Sequence, residues 1–295
     1  MKKIILIGGS NVDYIGTSVE KLIPNVSNVG EVSISFGGVM RNICENLLRL
    51  NNKITFVSAI GNDDLGNKML KELKNLNCNV ITPITSLPTG TYLAINNNNH
   101  DLNVAICDNR IIKELNMDFF KSIKKEIKEY EFIALDANLS KEAIDYLFKT
   151  FSDKKFLIES ISPHKVIKFK NHLKDIYLIK CNLFEARALC DNDSLNAKDA
   201  CSILLNKGIK KVVVSAASDN IYYGEDNNVN CFKINKVDNF VNTTGCGDAL
   251  FSGIVDRIIA NDTLYNALAL GHKLSLLTLQ SEKATTKEVS IYKHD

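Results

Sequence analysis

Several short runs in this chain are apolar at consecutive positions, with no polar residue between: Ile4-Ile5-Leu6-Ile7, Ile133-Ala134-Leu135 and Val212-Val213-Val214. Successive side chains of a strand point to opposite faces, so a strand with one wet face alternates polar and apolar residues. Unbroken apolar runs of this length belong instead to strands covered on both faces, as in a parallel sheet between helix layers. The stretches between them have helical periodicity. Strands are expected at 3–7, 55–59, 132–136, 155–159, 176–180 and 211–215, and helices at 41–50, 65–77, 117–130, 141–151, 197–206, 246–260 and 264–279. The predicted class is α/β with a mostly parallel central sheet.

Two regions break the alternation. Between Gly9 and Gly37 the chain is polar and turn-rich, with short runs such as Val32-Ser33-Ile34-Ser35-Phe36. Residues 91–95 and 103–107 bracket an Asn-rich tract, which reads as a hairpin. Both are expected to leave the core as a small β lid, approximately 12–36 and 90–108. No Pro/Gly/Ser linker divides the chain, so residues 1–295 are expected to form a single domain with that lid.

Composition excludes several classes of partner. The chain has 36 Lys+Arg against 34 Asp+Glu, a net charge of +2, and no dense basic block. Nucleic acids and anionic membranes demand many local cationic contacts, so neither is an expected partner. The apolar run after Met1-Lys2-Lys3 ends at Gly8-Gly9, too short for a signal core or a membrane span, and a cytoplasmic chain starting at Met1 is expected. The eight cysteines show no C-x-x-C spacing and read as reduced, buried small residues rather than zinc ligands or disulfides.

The string Thr244-Gly245-Cys246-Gly247-Asp248, followed by Leu250, Ile254 and Ile258 on one helical face, describes a tight turn opening a helix. Helix N-termini present unpaired N–H groups and partial positive charge, and glycines let an anion approach closely. Asp248 in that first turn is either a proton acceptor for an attacking hydroxyl or a residue that only offsets the helix dipole. Gly37-Gly38 precedes a second helix with Asn42 in its first turn. Gly8-Gly9-Ser10-Asn11-Val12-Asp13 follows the first strand, placing Asn11 and Asp13 at a carboxyl end, where open α/β sheets bind ligands. The spacing is not that of a dinucleotide fingerprint.

These residues, with Asn182-Leu183-Phe184-Glu185, resemble in content and order the motifs of the ribokinase-like (PfkB-type) carbohydrate and nucleoside kinases. The resemblance spans nearly the whole chain and implies a three-layer sandwich with a mostly parallel sheet and a β lid. It also implies ATP-dependent phosphorylation of a hydroxymethyl group. Asp248 would be the general base, and Gly245, Cys246 and Gly247 the anion hole. Asn11, Asp13, Gly37, Gly38, Asn42, Thr91 and Asn138 would bind the acceptor. Asn182, Ser215, Ala217, Thr244, Gly245 and Gly247 would bind ATP, and Glu185 with Asn182 would organise Mg²⁺ through water. Read without the family, Asn182 and Glu185 are a helix cap and its first-turn acid.

The string Gly37-Gly38-Val39-Met40-Arg41-Asn42-Ile43-Cys44-Glu45-Asn46-Leu47-Leu48-Arg49-Leu50 is similar to the pattern of pseudouridine kinases, as are Leu135-Asp136-Ala137-Asn138-Leu139-Ser140 and Thr89-Gly90-Thr91-Tyr92-Leu93-Ala94. Pseudouridine is therefore the expected acceptor and pseudouridine 5′-phosphate the product; ribose-, fructose- or adenosine-type kinases and a catalytically silent nucleoside sensor are the alternatives. Arg41 and Glu45 are either an exposed ion pair or a support for the motif, and neither is taken as a ligand. Three positions depart from the family pattern. Asn242 replaces an Asp associated with monovalent cations, leaving K⁺ activation open. Ala217 stands where a Gly is usual. Cys246 replaces Ala and is either a small filler or a thiol of lowered pKa at a helix N-terminus. A homodimer through the lid is possible, and His272 reads as a core or surface residue near the adenine region.

Overall fold

The computed structural model describes residues 3–99, 101–216, 219–234, 237 and 239–294. A nine-stranded sheet runs in the order Asn228–Phe232, Asp219–Glu225, Lys211–Ala216, Ile176–Asn182, Lys155–Glu159, Phe132–Asp136, Ile4–Ile7, Ile54–Val57, Asn79–Ile81. All neighbours pair in parallel except the first two strands, an antiparallel edge.

The unbroken apolar runs have the expected cause. Ile5, Ile7, Ile133 and Leu135 enter one buried layer, while Ile4, Leu6, Phe132 and Ala134 enter the other. Each strand thus feeds two cores at once. The second layer holds the helices Val39–Arg49, Cys246–Ile259 and Leu264–Leu279, through residues such as Ile43, Leu47, Ile254 and Leu268. The last two touch backbone to backbone: a Cβ on Gly253 would stand 2.4 Å from the Gly271 Cα.

The expected helix over 117–130 is two short ones, Met117–Ser122 and Lys124–Lys128, interrupted at Ile123, whose φ of −104° and ψ of 20° leave the helical region. The edge strands Asn79–Ile81, Asp219–Glu225 and Asn228–Phe232 lie outside the expected set.

A second sheet of four strands forms the lid, in the order Gly30–Gly37, Asn11–Ser18, Thr91–Asn96, Leu102–Asp108. Its register sorts the side chains. Ser35, Asp13, Tyr92 and Cys107 share one face, while Ile34, Tyr14, Leu93 and Ile106 share the other, continued by Val32, Ile95 and Val104. On that second face Val32, Ile34, Leu93, Val104 and Ile106 are exposed. Among the described residues no helix is long and apolar enough to cross a membrane.

Candidate active site

The Cys246–Ile259 helix opens at Gly245, whose φ of 82° is left-handed. A side chain there would be both strained and blocked, since a Cβ would lie 2.1 Å from the Ala284 carbonyl oxygen. The Cys246 N–H donates to Thr243 O at 3.3 Å, and the Ala249 N–H closes onto Gly245 O at 2.8 Å. Gly247 and Asp248 lie between them in the first turn, where amides have no helical carbonyl to pair with. These two amides are the donors best placed for an anion, with the Cys246 amide already engaged in the turn.

Asn42 and Asp248 come from two different helices and meet. The Asn42 Nδ2 donates to Asp248 Oδ2 at 2.8 Å. Burial raises the Asp248 carboxyl to about 6, opposed by the Asn42 hydrogen bond and the Lys180 ammonium. The other end of the Asn42 amide, Oδ1, is buried without a hydrogen-bond partner among the described residues. Buried acceptors are normally satisfied, so a hydroxyl-bearing ligand beside Asp248 has an acceptor ready for it.

The glycine pair brings the Asn42 helix onto the start of the Asn11–Ser18 strand, where Asn11 and Asp13 lie. Gly38 has a φ of 99°, and a Cβ there would stand 2.6 Å from the Ser10 Cα; one on Gly37 would meet Asp13 Oδ2 at 2.1 Å. Asn11 Nδ2 donates to Asp13 Oδ1. Burial lifts the Asp13 carboxyl to about 6 against the lowering by Asn11 and Arg41. Thr91 pairs with Val12 and shares that residue's face, with its Oγ1 donating to Thr89 O at 3.2 Å, while Tyr92 stands beside Asp13. Asn138 lines the Gly9 turn with its amide already engaged: Nδ2 donates to Asp136 Oδ2 at 3.2 Å and Oδ1 accepts from Lys165 Nζ at 2.7 Å. Asp136, absent from the expected set, is fully buried and also accepts the Gly9 and Asn138 N–H groups, each at 2.8 Å.

At the opposite end, Asn182 and Glu185 form a complete capping box. Glu185 N–H donates to Asn182 Oδ1 at 3.0 Å, and Glu185 accepts from the Asn182 backbone and side chain at 2.8 and 2.9 Å. Burial raises the Glu185 carboxyl. Ser215 lies level with Asn182 on the next strand, and Thr244 N–H donates to Asn242 Oδ1 at 2.9 Å. Ala217 lies outside the described residues. Among the described residues no group of three or more His, Cys, Asp or Glu is placed to hold a metal ion. Mg²⁺ keeps several waters and leans on phosphate oxygens, so one engaged carboxylate fits a water-mediated role and no more.

Two charged residues of this region escape a sequence reading. Lys180 and Glu159, on adjacent strands, are 6% and 3% exposed, and Lys180 Nζ donates to Glu159 Oε1 at 2.9 Å. Each is one polar residue in an apolar run, a pattern with no linear signature.

Geometry bears on three open questions. Arg41 and Glu45 are 4% and 5% exposed and pair at 2.6 Å, with Arg41 Nη1 also donating to Phe36 O at 2.8 Å and Arg49 Nε to Glu45 at 2.9 Å. They are a buried support between the catalytic-side helix and the root of a lid strand. Cys246 is partly buried, and burial pushes its thiol up to about 11, the reverse of an activated thiolate. Asn242 Nδ2 donates to the Glu282 carbonyl at 3.2 Å and its Oδ1 accepts from the Thr244 N–H, so the amide is engaged on both sides. His272 packs edge-on against Phe232.

The sequence profile of the pfkB family carbohydrate kinases matches residues 1–290. The pseudouridine kinase of Escherichia coli (strain K12) is 26% identical over 98% of this chain and 94% of its own. The guanosine-inosine kinase of Exiguobacterium acetylicum is 28% identical, covering 95% of each chain. Among solved structures, a putative sugar kinase from Clostridium perfringens superposes with a TM-score of 0.83 at 30% identity, over 99% of this chain and 95% of its own. Ribokinase from Thermotoga maritima gives 0.84 at 18% identity, over 99% and 98%, a likeness of fold.

Proposed function

Because the chain belongs to the pfkB family of carbohydrate kinases, we propose that it transfers the terminal phosphoryl group of ATP to the 5′-hydroxyl of pseudouridine, giving pseudouridine 5′-phosphate. The observation that carries the reading is the Asn42–Asp248 contact, which joins the acceptor end of the site to its anion-binding end. Asp13, steadied by Asn11, accepts ribose hydroxyls, and the free Oδ1 of Asn42 accepts one more. Asp248 takes the proton of the attacking hydroxyl, with a carboxyl near 6 that is ionised at neutral pH yet still basic enough to do so. The Gly247 and Asp248 amides receive the charge that builds on the transferring group. Mg²⁺, bound with ATP, supplies neutralisation of the phosphate charge, and Glu185 with Asn182 would hold it through water.

The acceptor assignment is supported by the Arg41-Asn42…Glu45-Asn46 string, whose Arg41 and Glu45 are buried in support of the Asn42 helix, and by the Escherichia coli relative. Screening pseudouridine, uridine, inosine, guanosine, adenosine, ribose and fructose with ATP and Mg²⁺ tests it. Preferred turnover of pseudouridine is expected. Preference for guanosine or inosine would transfer the assignment to the chemistry named for the second relative. Binding without turnover of any acceptor would make the chain a sensor. The reading carries with it a cytoplasmic location, where ATP is supplied, activity without K⁺, and a homodimer through the exposed apolar face of the lid.

A further inference from the structure

The kinase reading leaves Lys180 and Glu159 unused. A buried lysine–glutamate pair does little for stability, since desolvating two charges costs about as much as their attraction returns and apolar replacements often serve as well. The pair stands in strands whose neighbours, such as Ile158, Ile179 and Cys181, are apolar and fully buried. Its position is more telling than its chemistry. A Cβ on Gly247 would lie 2.9 Å from Lys180 Nζ, and beyond its own helix and chain neighbours no other heavy atom of the described residues would come within 4 Å of it. The ammonium therefore stands close against the Gly247 backbone, in the turn that carries the two amides available to an anion, and a side chain at position 247 would displace it.

The field around it points the same way. Burial pulls the Lys180 ammonium toward neutrality, but the carboxylates of Glu159, Glu185 and Asp248 together raise it above the ordinary lysine value. Burial, with Asp248 and Glu185 nearby, raises the Glu159 carboxyl against the pull of the ammonium beside it. Its second oxygen, Oε2, is buried without a hydrogen-bond partner among the described residues. An ammonium has three donors, and the hydrogen bond recorded for this one goes to Glu159. Lys180 is thus a cation fixed in a dry place, beside anion-binding amides, with donors to spare.

We propose that Lys180 contacts the phosphoryl group during transfer and that Glu159 is the positioning residue that holds it there. The proposal rests on the kinase reading above. In the step, the acceptor oxygen bonds to the terminal phosphorus, the bond from that phosphorus to the ADP oxygen breaks, and the acceptor proton passes to Asp248. Negative charge grows on the phosphoryl oxygens between the Gly247 amide and the ammonium. A full charge fixed before the reaction stabilises that state without reorganisation, and a lysine is suited to it as a compact point charge.

ADP lacks the group that Lys180 contacts, and this gives the test. For Lys180→Met, kcat is expected to fall by about 10²–10³. Affinity for the non-hydrolysable analogue AMP-PNP is expected to fall by about 10-fold or more, the loss of a charged hydrogen bond, while affinities for ADP and the acceptor nucleoside stay within about 3-fold. Glu159→Gln keeps an acceptor beside the ammonium but loosens its placement, so its kcat is expected to fall below wild type while staying above that of Lys180→Met. Lys180→Met with Glu159→Leu removes both charges, so that no carboxylate is left unpaired if the single variant unfolds. A folded double variant with wild-type kcat and a wild-type AMP-PNP to ADP affinity ratio overturns the proposal. So does loss of fold in both lysine variants together with wild-type kcat in Glu159→Gln, which makes the pair structural. A wild type that phosphorylates no sugar or nucleoside, but whose preference for AMP-PNP over ADP disappears in Lys180→Met, defeats the acceptor reading and leaves this one standing.

Discussion

The Asn42 side chain donates to the Asp248 carboxylate across 2.8 Å, linking residues 206 positions apart in sequence. That hydrogen bond favours the ionised form of Asp248 and works against the burial that lifts its carboxyl to about 6. In Asn42→Leu the carboxyl rises further. The acidic limb of log kcat/KM against pH is expected to move up by about one unit, the worth of a hydrogen bond to a charged group. In the wild type, Asp13 titrates near the same pH, so a limb with a slope approaching two is expected below 6. A limb unmoved in Asn42→Leu would remove Asp248 as the titrating base.

Asp248→Asn separates chemistry from stability. Activity should fall by about 10³ or more, in the range of a lost general base, with acceptor binding unchanged by calorimetry. The carboxyl is higher in the folded chain, about 6, than its unperturbed 3.8, so the native state holds its proton more tightly than the unfolded state. Below about 4 both states are protonated and the group is neutral in its effect. As pH rises to about 6 a penalty accumulates, and it is complete above that. The Asn variant is therefore expected to melt about 2–5 °C higher than wild type at pH 7.5, with the gain gone near pH 4. A lower Tm at pH 7.5 would contradict the sign.

The proposed reading extends to monovalent cations through Asn242. With its amide donating to Glu282 O, exchange of K⁺ for tetramethylammonium at constant ionic strength should change the rate by less than about 2-fold. Asn242→Asp replaces the donor by a charged acceptor, and an activation by K⁺ that saturates is expected to appear. Strong K⁺ dependence in the wild type would overturn the argument.

The lid offers the largest test of assembly. Val32, Ile34, Leu93, Val104 and Ile106 form one exposed apolar face, and contiguous apolar surface of this kind marks an interaction site. Sedimentation should show a dimer for the wild type and a monomer for Val32→Lys with Ile106→Lys. A wild type that is monomeric at micromolar concentration would leave the face without this role.

How far the sequence carries is visible in individual residues. The runs Ile133-Ala134-Leu135 and Val212-Val213-Val214 announced strands because both of their faces are buried, a property of the strand itself. The Asp219–Glu225 and Asn228–Phe232 edge was hidden, since Gly224, Asp226, Asn227 and Asn228 read as a loop while strand pairing came from the neighbouring Lys211–Ala216. The turn from Thr244 to Asp248 was legible because its chemistry is contiguous. Lys180 and Glu159 were not, because they become a site only when two parallel strands and the Gly247 turn converge. Which face of the lid Thr91 and Tyr92 present was not legible either, because a one-residue offset reverses a strand's faces and only the pairing with Val12 and Asp13 fixes the register.

The contact between Gly253 and Gly271 leaves the helix that carries Asp248 no side-chain cushion along which to slide. The turn that carries Asp248 is thus braced from behind, while across from it Arg41 ties the Asn42 helix to the lid strand at the Phe36 carbonyl. On the proposed reading, any closing of acceptor on phosphorus would fall to the lid side, and a ligand that stiffens the lid alone would alter how often that happens rather than the chemistry itself.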